Sequence, residues 1–240
     1  MNILATSGGL RMTERRLWAP AGLMLHAMAL SGTPHPRVCL LHTACGDNPA
    51  HVAAGYQALA ALDCQASHLE LFPMPNHDPG AHLLAQDVIW VMGGSVANLL
   101  AVWRVHGLDD ILREAWTQGV VLAGVSAGSL CWHSGGTTDS YGPDLRPVTN
   151  GLGLLPHSNC PHYDSEAQRR PLYQSLVADG TLAAGWATDD GVGLHFAGTE
   201  FVEALAERPG GSAYRVVRGP DGAALETRIE PRPLPDPTAS

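Results

Sequence analysis

The chain contains no lysine: all 14 of its basic residues are arginines. That absence removes Schiff-base chemistry, a P-loop lysine and a lysine general base together. Charge is sparse as well, at 15% of residues, and 23 acidic side chains against 14 basic ones leave a net charge of −9. With no arginine cluster longer than a pair, this balance argues against a nucleic-acid partner. The five cysteines (Cys39, Cys45, Cys64, Cys131 and Cys160) are odd in number and include no C-x-x-C. Such usage suits a reducing cytoplasm better than a disulfide framework. Long apolar runs are missing too. The segment Leu17–Leu30 behind Arg15 and Arg16 loosely imitates a signal peptide, but Pro20, Gly22 and His26 interrupt it, and it falls short of the ~18 residues of a membrane span. A cytoplasmic protein with no membrane partner is expected.

What is present reads as a globular α/β chain. A compact protein of 240 residues, 45% of them hydrophobic, hides roughly 70–75% of its unfolded surface, so its core needs no metal or disulfide. Strands are predicted at Asn2–Thr6, Arg37–Thr43, Ser67–Phe72, Asp87–Met92 and Val120–Val125, the last three as short apolar runs suited to burial on both faces. Helices are predicted between them. Asn48 caps one with Pro49 at its first position. Ser95 caps another, with Val96, Leu99, Leu100 and Trp103 forming one apolar stripe, and Leu108–Gln118 forms a third. This alternation predicts a mostly parallel sheet with helices on both faces, and ligand chemistry at the carboxyl ends of its strands. Residues 134–161, with five glycines and four prolines, read as a long loop region with at most short strands. A helix is expected at Ser165–Ala178 and strands at Leu182–Phe196, Ala213–Arg218 and Ala224–Ile229. Residues 1–229 are read as a single α/β domain, followed by a flexible Pro-rich tail at 230–240.

The strongest local signal for chemistry is Gly124-Val125-Ser126-Ala127-Gly128, at the end of an apolar strand and before a helix. G-x-S-x-G in that setting is the nucleophile elbow, which exposes a serine hydroxyl at a sharp turn. It also leaves the Ala127 amide at a helix start, where developing negative charge is stabilised. The plainer alternative is a tight turn in which Ser126 only caps. Gly93-Gly94 ends the neighbouring strand, so the Gly93 amide can face Ala127 and complete an oxyanion hole; the alternative is an ordinary glycine turn before Ser95. A serine nucleophile needs a base, and His162, stiffened by Pro161, stands in the segment Asn159-Cys160-Pro161-His162-Tyr163-Asp164. His157, Cys160 and His162 in an H-x2-C-x-H spacing match no usual zinc pattern, so neither a metal nor an organic cofactor is expected. The orienting acid is open among Asp139, Asp144, Asp189 and Asp190. A carboxylate pair inside an apolar strand is costly unless partnered, which favours Asp189 or Asp190, although Asp-Gly also makes hairpin turns.

With Val-Met-Gly-Gly-Ser (91–95), Gly-Val-Ser-Ala-Gly-Ser (124–129), Cys-Pro-His-Tyr (160–163) and Asp-Gly-Val-Gly-Leu (190–194) in this order, the chain resembles the peptidase E (aspartyl dipeptidase) family of serine peptidases from about Asp87 to Phe196. The resemblance implies a fold similar to class I glutamine amidotransferases, with serine in place of the thiol, and a small peptide as substrate. It implies Ser126 as nucleophile, His162 as base and Asp190 in the place usually held by glutamate, with the Gly93 and Ala127 amides as oxyanion hole. An esterase or amidase on the same elbow is the alternative, with Asp139 or Asp144 as acid for His162, or with Asp190 beside His195; a non-catalytic binding protein on this scaffold is a second. The segment after His162 is shorter than in the aspartyl dipeptidases, whose arginine there reads the substrate aspartate. Here Asp164 and Glu166 come first and arginine only at Arg169 and Arg170, so Asp164 and Glu166 are expected to repel such a substrate and Asp-X cleavage to be poor.

Overall fold

In a computed structural model that describes residues 1–237, the strands form two main sheets. The larger has eight strands in the order Arg232–Pro233, Glu200–Ala206, Val192–Ala197, Asn2–Thr6, Val121–Val125, Val88–Val91, Arg37–Leu41 and Gln65–Leu69. From Asn2–Thr6 to Gln65–Leu69 every pairing is parallel, whereas Val192–Ala197 joins both its neighbours antiparallel. Alternate residues of these strands enter two separate cores. Ile3, Cys39, Leu41, Ile89, Val91 and Leu122 pack under the helices Val96–Val105 and Leu108–Thr117. Leu4, Val38, Leu40, Trp90, Val121 and Ala123 pack under Gly22–Ala29 and Pro49–Leu59. The period of two in a strand thus gives each sheet face its own helical cover. The caps lie where the sequence puts them: Asn48 Oδ1 accepts from the Ala50 N–H at 2.9 Å, and Ser95 Oγ from the Asn98 N–H at 3.2 Å.

The second sheet has six strands, ordered Ala224–Ile229, Ala213–Arg218, Gly185–Thr188, Leu155–Cys160, His133–Thr138 and Arg146–Val148. Half of it comes from residues 134–161, which the sequence presents as loop. Glycine is what permits close strand approach there: a Cβ on Gly136 would lie 1.9 Å from the Asn159 carbonyl oxygen. The apolar stretch Leu182–Phe196 is two strands in different sheets, Gly185–Thr188 and Val192–Ala197, with Asp189-Asp190-Gly191 as the passage between them. The signal-like segment is a short hairpin, Leu10–Met12 with Trp18–Pro20, followed by the helix Gly22–Ala29.

The Pro-rich tail differs from its flexible expectation over its described part. Arg232–Pro233 pairs with Leu205 and Ala206 at the sheet edge, the Leu234 N–H donates to the Ala206 carbonyl at 2.8 Å, and the Leu234 side chain packs on Gly22. Proline is tolerated because an edge strand leaves one side of its ladder unpaired. Residues 238–240 of that tail lie outside the described residues. No helix among the described residues is long and apolar enough to cross a membrane.

Candidate active site

Five strands end at one place, and the predicted residues sit on their carboxyl ends. Ser126 follows Val121–Val125 and opens the short helix Ala127–Leu130, with φ 59° and ψ −111°. A non-glycine residue in that region is strained, and the surroundings have to hold it there. The glycines of the motif explain how. A Cβ on Gly128 would lie 2.2 Å from the Val91 carbonyl oxygen, so only glycine lets the helix start this close to the adjoining strand. The Ala127 N–H, first in its helix, has no intrahelical acceptor. Gly93 packs directly against the serine, since a Cβ there would lie 3.2 Å from Ser126 Cβ and 3.8 Å from Ser126 Oγ.

His162 follows Leu155–Cys160 and also has positive φ, 58°. Its Nδ1 lies 2.5 Å from Asp190 Oδ1, so of the four candidate acids Asp190 is the one paired with this ring. Asp189 faces the other way, accepting from the Ser212 N–H and the Tyr214 hydroxyl at 2.9 and 3.2 Å. Burial raises its pKa, and the Ser212 N–H opposes that shift. Asp144 is exposed, and Asp139 stands at the rim of the cleft that holds Ser126. His195 is bound to Asn2, away from Asp190. Cys160 is buried with its sulfur 3.0 Å from Thr137 Oγ1, and the His157 ring lies against Trp186, so the H-x2-C-x-H spacing draws no cluster together.

Ser126 and His162 face a common cleft of about 310 Å³ with Ser95, Ser140, Glu166 and Arg169. A wider cleft of about 660 Å³ opens on the other side of the imidazole, lined by Ser7, Met92, Gly93 and Arg208, with Trp18 of the hairpin and Asp236 of the tail as outer walls. Among the described residues no hydrogen bond of Ser126 Oγ to the imidazole is formed, which is common before substrate binds.

Three residues that sequence reading did not assign to the site support it. Ser7, at the carboxyl end of the first strand, accepts from the His162 N–H at 3.1 Å and meets Thr188 Oγ1 at 2.7 Å. Asp164 Oδ1 accepts from the Asp190 N–H at 2.8 Å, and its other oxygen takes a bond from Arg208 Nη2 at 3.1 Å. Arg208 Nε donates in turn to the Asp190 carbonyl at 2.5 Å. Position after a strand was the available signal for Ser7; nothing local marks Arg208. Asp164 therefore has an arginine partner, and so does Glu166, which takes two bonds from Arg169 at 2.7 and 3.1 Å. The two carboxylates expected to repel a substrate aspartate are thus each engaged by an arginine within the chain. The arginines are equally engaged: Arg169 also donates to the Thr137 carbonyl, and Arg170 pairs with Glu226 between Tyr163 and Tyr214.

A parallel α/β layer with helices on both faces and polar side chains gathered at its strand ends defines an α/β protein of class I glutamine amidotransferase-like architecture. The profile of peptidase family S51 matches residues 3–204, and the chain belongs to that family, the serine peptidases of the peptidase E type. It is 45% identical over 200 residues to peptidase YgaJ of Bacillus subtilis (strain 168), covering 83% of this chain and 84% of that one. Peptidase E of Haemophilus influenzae (strain ATCC 51907 / DSM 11121 / KW20 / Rd) is 32% identical over 118 residues, 45% of this chain and 54% of that one. Two solved structures share the fold. A peptidase from an acI-B1 actinobacterium superposes with a TM-score of 0.72 at 15% identity, over 98% of this chain and 96% of its own. A peptidase E protein from Listeria monocytogenes EGD-e gives 0.61 at 19% identity, over 84% and 96%.

Proposed function

We propose that this peptidase cleaves small peptides through a Ser126–His162–Asp190 triad. The observation that carries the reading is the 2.5 Å contact of His162 Nδ1 with Asp190, beside a serine held at a strained strand-to-helix turn in the same cleft. Ser126 Oγ attacks the scissile carbonyl while His162 Nε2 takes its proton. The imidazolium then gives that proton to the leaving amine, and water hydrolyses the acyl-enzyme by the same steps. Asp190 fixes the ring with its proton on Nδ1 and stabilises the imidazolium. The Gly93 and Ala127 N–H groups receive the oxyanion. No cofactor enters this reading.

Short substrates suit the cleft of about 310 Å³ that Ser126 and His162 share. An Asp-X preference does not, because Arg169 and Arg170 already hold carboxylates within the chain. The five cysteines are free thiols, which supports a cytoplasmic setting. A peptide panel on the purified chain tests the assignment, with Asp-Leu, Ala-Leu, longer peptides and short-chain acyl esters. Hydrolysis of peptides is expected, with no advantage for Asp-Leu, and Ser126→Ala should lower kcat by about a thousandfold or more. Unchanged turnover in that variant refutes the triad; turnover of esters alone moves the enzyme to the esterases.

A further inference from the structure

One cluster of metal-ligand side chains takes no part in this chemistry. His26 of the helix Gly22–Ala29, His195 of the strand Val192–Ala197 and Glu203 of the strand Glu200–Ala206 each bring a ligand atom within 4.8 Å of the other two. They come from three elements, so no spacing in the sequence announces them. His195 is only 8% exposed, and its Nε2 lies 3.1 Å from Asn2 Oδ1. A carboxamide oxygen only accepts, so Nε2 carries the ring proton and Nδ1 presents a bare lone pair. That Nδ1 is sealed from solvent and meets no donor, and His26 Nε2 is sealed and unpartnered as well. The two rings meet edge to face with centroids 5.9 Å apart. Glu203 is fixed by two bonds from Arg232, at 2.8 and 2.9 Å, which leave a carboxylate spare lone pairs.

We propose that His26, His195 and Glu203 bind a divalent transition-metal ion of the zinc class, tying the helix to the sheet edge. Two imidazoles and one carboxylate form a ligand set suited to zinc, with water or another small ligand in the fourth position. Asn2 and Arg232 are its outer shell, orienting one imidazole and the carboxylate. Zinc bonds near 2.0–2.2 Å put tetrahedral ligands about 3.4 Å apart, so the cluster must contract by up to roughly 1.4 Å from its 4.8 Å limit. His26, only partly buried and with no partner on Nε2, is the ligand that swings, whereas His195 and Glu203 are held by Asn2 and Arg232. The Arg232 charge opposes a cation, but that side chain is 51% exposed and solvent screens it. His195 sits within its strand opposite Leu4, whereas Asp190 lies before that strand begins, so the ion is structural and outside the reaction.

The test is calorimetric titration of the metal-stripped full chain with zinc chloride, followed by gel filtration and elemental analysis. One zinc retained per chain and a raised Tm are expected, with peptide hydrolysis the same before and after chelation. His26→Gln and Glu203→Gln, both at partly exposed positions, should each weaken binding about a hundredfold while keeping the metal-free Tm. Absence of retained zinc overturns the proposal. So does unchanged affinity in both variants, which would place the ion elsewhere, for example at the stacked pair His77 and His82.

Discussion

Arg208 and Asp164 grip the peptide units on either side of the Asp190 α-carbon, one through the carbonyl and the other through the N–H. Replacing Arg208 by Gln removes the donor to that carbonyl and the ion pair to Asp164. Asp164→Asn keeps an acceptor for the Asp190 N–H but loses the charge. Both side chains are substantially exposed, at 50% and 40%, so each lost bond is worth only about 0.5–1 kcal/mol to stability. Tm should fall by no more than about 4 °C in Asp164→Asn, which loses one interaction, and about 8 °C in Arg208→Gln, which loses two. Catalysis is more sensitive, because a carboxylate displaced by about 1 Å no longer holds the imidazole in line, and such misplacement costs up to about 10²-fold. We expect kcat to fall about 10- to 100-fold, or 1.4–2.7 kcal/mol of barrier, with KM nearly unchanged. The rate of Ser126 labelling by a fluorophosphonate should fall in parallel, which gives a readout independent of the peptide chosen. Both residues act through Asp190, so the double variant should lose little beyond the worse single one. If kcat and labelling stay within twofold of the parent in both single variants, the pair is a surface ion pair and the reasoning fails.

Gly128→Ala forces a Cβ to within 2.2 Å of the Val91 carbonyl oxygen and should cost about 3 kcal/mol, a Tm loss of roughly 6–12 °C; a loss under about 2 °C would mean the elbow relaxes freely. His133 is fully buried, its Nδ1 3.0 Å from the Ser129 carbonyl and its Nε2 without a partner, and burial pushes its pKa down to about 3. Its unfolded pKa lies near 6.5, so its contribution is complete above that pH and is lost as pH falls from there towards 3, at up to about 1.4 kcal/mol per pH unit. Chemical denaturation between pH 7 and 4 should therefore show a shallower decline in His133→Gln than in the parent, and equal slopes would refute the assignment.

Much of the framework was legible because it is local. The strand Asn2–Thr6 and the caps Asn48 and Ser95 depend on side chains a few residues apart, and the same holds for the G-x-S-x-G turn. Residues 134–161 were not legible as a sheet. Their glycines and prolines look like loop, and only the neighbouring backbone at Asn159 and Val148 shows that glycine is there to let strands approach. Asp190 had three rivals for the same reason: a carboxylate's partner is decided by where its strand ends, and Asp189, one residue away, points to Ser212 and Tyr214.

The sequence by itself therefore determined the sharp turn at Ser126, since a strand-to-helix turn rests on residue types at short range, whereas which of four aspartates meets His162 was decided by tertiary structure. Tertiary structure alone decided how the supporting charges pair. Asp164, Glu166, Arg169 and Arg208 are mixed in sign along the chain, and their effect on a substrate depends on which arginine each carboxylate meets. Coulomb attraction and hydrogen bonding act over a few ångströms in space, and 44 residues separate Arg208 from its partner Asp164. The cluster of His26, His195 and Glu203 has the same origin: His195 and Glu203 face each other across adjacent antiparallel strands, and the packing of a helix from far earlier in the chain on that sheet brings His26 to them.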